Sequence, residues 1–122
     1  MLRLVGVGVG VEEFQWSEDE QVWPFEKTSD GDTLYCKEID FGPLPDTGAG
    51  SRAHGIPNLD LTKVEHLSGM GLKAGENSFA LGYPTPNTTF IVQLYITETT
   101  IQLLTARSWT GWNAKIKVIY SN

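Results

Sequence analysis

From Tyr35 to Phe41 the side chains alternate in kind. Tyr35, Ile39 and Phe41 share one parity with Lys37 between them, and Cys36, Glu38 and Asp40 take the other. A period of two marks a half-buried strand, and Asp30-Gly31 ahead of it is a turn signal. Gly42-Pro43 and Leu44-Pro45 end the strand, because proline has no N–H for a ladder and pushes the residue before it out of helical space. The chain must turn there.

The same pattern recurs most clearly in the last third. Thr89 to Ile96 is aromatic and β-branched, Glu98-Thr99 is a turn, Thr100 to Thr105 follows, and Asn113 to Tyr120 alternates with its lysines outward. Three strands so closely spaced predict an antiparallel meander. Leu61 to Met70 alternates weakly and predicts another strand, with a one-turn helix near Asn58 to Leu61 as the alternative. Between Gly42 and Gly55 the chain shifts to Pro, Gly, Ala, Ser and Thr, which reads as an exposed connection. Leu72 to Asn87 is turn-rich, and Tyr83-Pro84-Thr85-Pro86-Asn87 holds too much proline for a ladder.

The first residues differ in texture. Val5 to Val11 alternates strictly, so a strand there sets valines against glycines. Either a backbone or ring lies across the glycine side, or the segment is an arm that orders against a neighbouring subunit. A dinucleotide-binding glycine loop would need a helix to follow, and Glu12-Glu13-Phe14-Gln15-Trp16-Ser17 does not open one. Phe14 and Trp16 fit one face of a short strand, and Val22, Trp23 and Phe25 surround Pro24 in a second extended piece. Residues 1–29 therefore read as a strand or arm for docking or intersubunit contact, and residues 30–122 as a sandwich module, within one domain. No stretch sustains the spacing of three and four that a long amphipathic helix requires. The expected fold is all-β: an antiparallel, jelly-roll-like sandwich of six to eight strands with little or no helix.

Composition narrows the function classes. A chain of 122 residues suits one domain, and 40% apolar with 20% charged residues describes a soluble globular protein. No apolar run approaches the ~20 residues that span a bilayer, and the start lacks the apolar core and cleavage site of a signal peptide. A net charge of −6, with nine scattered basic residues, argues against a nucleic-acid partner. The single cysteine, Cys36, rules out an intrachain disulfide and reads as a small strand residue, since no base lies near it in sequence.

Candidate chemistry is sparse. His54 and His66 are the only histidines, and no second Cys or paired His spacing completes a metal site. Neither Ser17 to Glu20 nor Asp30-Gly31-Asp32 has the calcium-loop spacing. Ser51, Ser68 and Ser108 lack a nucleophile elbow; a triad would have to join one of them to His54 and Asp60. Nothing singles out a carboxylate pair for glycoside cleavage among Glu12, Asp40, Asp60 and Glu98. The expectation is no catalysis, no cofactor and no metal, with His54, Asn58 and Asp60 forming a structural corner. Trp109-Thr110-Gly111-Trp112-Asn113 is the best candidate for recognition. Exposed indoles stack on sugar C–H surfaces, and Arg107 or Asn113 would orient hydroxyl groups. The alternative is that one tryptophan plugs an end of the core. Tyr83 and Trp16 have weaker claims. Asn87-Thr88-Thr89 has the form of a glycosylation acceptor, which matters only in a secretory pathway.

The order of these motifs resembles that of small β-sandwich modules of bacteriophage virion proteins. The residues that carry the likeness are Asp30-Gly31; Tyr35-Cys36-Lys37-Glu38-Ile39-Asp40-Phe41-Gly42-Pro43-Leu44-Pro45; His54-Gly55-Ile56-Pro57-Asn58-Leu59-Asp60; and Arg107-Ser108-Trp109-Thr110-Gly111-Trp112 before Ala114 to Tyr120. The match runs from about Lys27 to Asn122. Such modules occur as receptor-binding heads of tail fibres and as free-standing particle-surface proteins. The likeness implies a homotrimer on the virion exterior, with other virion proteins as partners and a host cell-surface glycan as a further one. With no heptad shaft ahead of the module, a capsid-decorating or head-fibre-type protein is the expectation, and a carbohydrate-binding tail-fibre module the alternative.

Overall fold

The structure, a computed structural model, describes residues 14–82 and 91–122. The Val5 to Val11 alternation, Tyr83 to Asn87 and the Thr89-Phe90 start of the predicted strand lie outside the described residues. The described residues form eight strands: β1 (Gln21–Lys27), β2 (Thr33–Pro43), β3 (Asp46–Ala53), β4 (Val64–Leu72), β5 (Phe79–Ala80), β6 (Val92–Ile96), β7 (Thr100–Ser108) and β8 (Asn113–Ser121). The one helical segment among the described residues is the 3-10 turn Leu61–Lys63, so both the strand and the one-turn helix foreseen around Leu61 exist side by side.

All pairings are antiparallel. One sheet has the order β1-β2-β8-β4-β5 and the other β3-β7-β6. Alternation drives the apolar side of each strand inward, and Ile39 and Phe41 of β2, Ile101 and Leu103 of β7, and Ile116, Val118 and Tyr120 of β8 meet in the buried centre. The fold is thus the expected all-β sandwich. β2 leaves the first sheet at Leu44-Pro45 and becomes β3 in the second, while β7 returns as β8 beside it. The Leu44 N–H donates to the Trp112 carbonyl at 2.9 Å and ties the two crossings together. β4 and β6 then add to the outer sides of β8 and β7, a jelly-roll-like winding.

Three sequence expectations are corrected. The connection from Gly42 to Gly55 contains a full strand, β3, paired along β7 from Asp46 to Ala53. The last three strands are not a meander, because β6 and β7 form a hairpin whereas β8 crosses to pair with β2 and β4. Phe14 and Trp16 lie in irregular chain. With Trp23 they cover Leu34, Cys36 and Ile119, so β2 is buried on both faces rather than one. Among the described residues no helix is long and apolar enough to cross a membrane.

Candidate functional site

The recognition loop is built where β7 becomes β8. The Trp112 N–H donates to the Trp109 carbonyl at 3.0 Å, and Gly111 at the third position has φ +87°. This is the backbone of a tight turn that glycine adopts at no steric cost. The turn throws both indoles toward β5. Trp109, 8% exposed, stacks on Phe79 with ring centroids 4.8 Å apart, and Trp112 meets both rings edge-on at 5.2 and 5.6 Å. Phe79 can lie there because β4 carries Gly71 beneath it; a Cβ on Gly71 would run into the ring. The Arg107 guanidinium sits 4.8 Å over Trp109, and the Trp109 Nε1 finds no acceptor among the described residues.

Trp109 is therefore part of the core, whereas Trp112 is half-buried and Asn113 is exposed. Beyond Trp112 opens a cleft of about 540 Å³ lined by Asp40, Leu72, Lys73, Ser78, Asn113 and Lys115. Lys73 Nζ lies 6.0 Å from the Trp112 centroid. Arg107, Trp109, Trp112 and Asn113 are thus neighbours in space as well as in sequence. Tyr83 lies outside the described residues. Phe79, Lys73 and Lys115 went unseen in the sequence; a lone aromatic in the polar Lys73 to Ser78 surroundings was the signal for Phe79, and no local pattern marks the two lysines.

The second predicted group, His54, Asn58 and Asp60, caps the other end of the sandwich. His54 is 1% exposed. Its Nδ1 accepts from the Ile56 N–H at 3.0 Å and its Nε2 lies 2.9 Å from the Thr97 carbonyl, a pairing that the neutral ring with its proton on Nε2 satisfies on both sides. Lys37 Nζ donates to the His54 carbonyl at 2.6 Å. Asn58 takes the left-handed conformation, φ 55°, which its short polar side chain tolerates. Asp60 caps the 3-10 turn, accepting from Thr62 N–H at 2.9 Å and Thr62 Oγ1 at 2.7 Å. These hydrogen bonds hold its carboxyl below the usual range. His54 and Asp60 are spent on different partners, so the structure does not join them in a triad.

Cys36 is fully buried, and burial pushes its thiol up from 9.0 to about 11. Tyr120 is also pushed up, first by burial and then by the hydrogen bond it donates to Glu20. Both groups ionise more easily in the unfolded chain, so the Cys36 contribution to stability is full below about pH 9 and declines as pH climbs from 9 toward 11, while that of Tyr120 begins to decline only above pH 10.0. The expected result is a native protein whose thiol resists a disulfide reagent at pH 8 and reacts at the rate of unfolding. Reagent uptake followed across a urea series checks it; rapid reaction without urea contradicts the burial. Among the described residues, no three His, Cys, Asp or Glu side chains converge as a metal site. No protein-family model, curated protein or solved structure matches this chain.

Proposed function

We propose that the chain is a non-enzymatic structural protein on the outer surface of a bacteriophage particle, a homotrimeric decoration or head-fibre-type protein that docks on other virion subunits. The observation that carries the non-catalytic part is the state of His54. A general base needs a ring nitrogen within reach of a substrate proton, and both of its nitrogens face backbone groups in a closed interior. The motifs of the virion resemblance support the rest. Each is used to build the scaffold: β2 as a sheet strand, the His54 to Asp60 corner as an end cap, and the Arg107 to Trp112 loop as the link between sheets. An antibody against the chain, applied to gradient-purified particles of the encoding phage, tests the proposal. The expected result is signal in the particle fraction and density over capsid subunits; absence from particles overturns it.

A second reading, a carbohydrate-binding receptor module of a tail fibre, is favoured by the cleft beside Trp112. A half-buried indole with Asn113 and two ammonium groups nearby is a surface on which a sugar ring can stack and be oriented. On this reading Trp112→Ala or Asn113→Ala weakens binding on a glycan array by about ten-fold or more, ~1.4 kcal/mol, while the oligomer survives. On the structural reading the parent protein binds no glycan, and density at the tail tip is absent.

A further inference from the structure

The outer faces of the two sheets differ in charge. On the five-stranded sheet, the register sets Glu38 opposite Lys117 and Asp40 opposite Lys115. On the three-stranded sheet the outward positions are Ala49 and Ser51 of β3, Gln102 and Leu104 of β7, and Gln93 and Tyr95 of β6. None of these carries a charge. Leu104 is 41% and Tyr95 47% exposed, and a shallow hollow of about 470 Å³ lies against Leu104. Charge returns at the two ends of these strands, at Asp46 and Arg107 toward one and at Arg52 and Glu98 toward the other. An uncharged centre with a polar rim is the anatomy of a protein interface.

We infer that copies of this chain meet one another through the outer face of β3, β7 and β6, an inference that rests on the assembly reading above. The occupant follows from charge. Copies that each carry −6 repel, and they approach at least cost where neither presents charge. A partner recognised by complementary charge would find nothing to pair with here. Area then fixes the extent of the contact. Strands of 8, 9 and 5 residues project over roughly 350 Å² at about 4.8 Å between strands and about 3.3 Å per residue. A stable interface buries about 800 Å² per partner. The contact therefore continues over the β3 edge, whose outer side pairs with no described strand and whose side chains between Asp46 and Arg52 are small.

Light scattering on the full chain at micromolar concentration tests this. The parent is expected to run at about three times 13.5 kDa. Leu104→Glu and, independently, Ala49→Glu place a carboxylate in the face and are expected to release a 13.5 kDa monomer with an unchanged circular dichroism spectrum. Met70→Glu, equally exposed but on the other sheet, leaves the assembly intact. A monomeric parent, or assembly that survives both face variants, overturns the inference. Particle incorporation, measured in parallel, separates the two claims. An oligomer that never enters particles upholds the interface and defeats the virion reading; a monomeric parent found on particles does the reverse. If that monomer leaves the particle when Leu104 becomes Glu, the face belongs to a different virion protein.

Discussion

Trp109→Ala is expected to lower stability by about 3–5 kcal/mol, the range for removing a buried tryptophan. At roughly 4 °C per kcal/mol for a chain of this size, that is a fall in Tm of about 12–20 °C. The indole is buried between Phe79 and Trp112 and beneath the Arg107 guanidinium, so deletion removes dispersion contacts on three sides. It also opens a void where β7 crosses to β8, a place the backbone cannot close because the Leu44 to Trp112 hydrogen bond fixes the neighbouring crossing. Partial relief comes from losing the Nε1–H, which is buried without a described acceptor. Typical domains hold only 5–15 kcal/mol in all, so the variant stands close to unfolding at physiological temperature. Differential scanning calorimetry decides the matter. A Tm within about 3 °C of the parent would mean that the ring is kept for contact with a ligand rather than for packing.

What the sequence made legible follows from how far each pattern reaches along the chain. β2 and β8 run for 11 and 9 residues, and their positions were readable because apolar side chains recur at every second place through part of each. β3 was not. Its inward positions, Gly48 and Gly50, hold almost no side chain: Gly48 has φ +106°, and at Gly50 the space is taken by rings from β2 and its crossing, where a Cβ would stand 3.0 Å from Pro45 and 3.5 Å from Phe41. A strand whose inner face is supplied by its neighbour has the composition of a loop. The mistaken meander has a different cause. Alternation states that a segment is a strand and says nothing of its partner, and β8 chooses β2 and β4, separated from it by some 50 to 80 positions along the chain. The second burial of β2 was hidden in the same way, because Trp16 and Trp23 reach Cys36 only after the chain has turned at Gly31. Of the candidate site, the tryptophan loop was visible as an aromatic cluster. Its partners Phe79 and Lys73 come from another part of the chain, brought in by the β4–β5 hairpin.

His54→Ala is expected to cost a further class of energy, that of backbone groups left without partners. The ring satisfies the Ile56 N–H on one side and the Thr97 carbonyl on the other, at 3.0 and 2.9 Å. Each backbone group stranded in a closed interior costs about 1–3 kcal/mol, and the lost ring adds a cavity, so the total is roughly 3–5 kcal/mol. The damage is local in origin and wide in effect. The Ile56 strand-to-corner turn and the β6–β7 turn are otherwise linked by the His54 N–H to Thr99 carbonyl bond at 3.2 Å and by burial of Ile56. Gln in place of His retains an amide donor and acceptor at similar reach and is expected to recover part of the loss, which an apolar isostere such as Leu does not, because Leu fills the space and leaves both backbone groups bare. Urea denaturation of the three variants, read as midpoints at constant slope, orders them parent, Gln, then Leu and Ala. Equal midpoints for Gln and Leu would show that the ring is kept for its volume, and the account of His54 as a hydrogen-bonded tie between the corner after β3 and the β6–β7 turn would have to be given up.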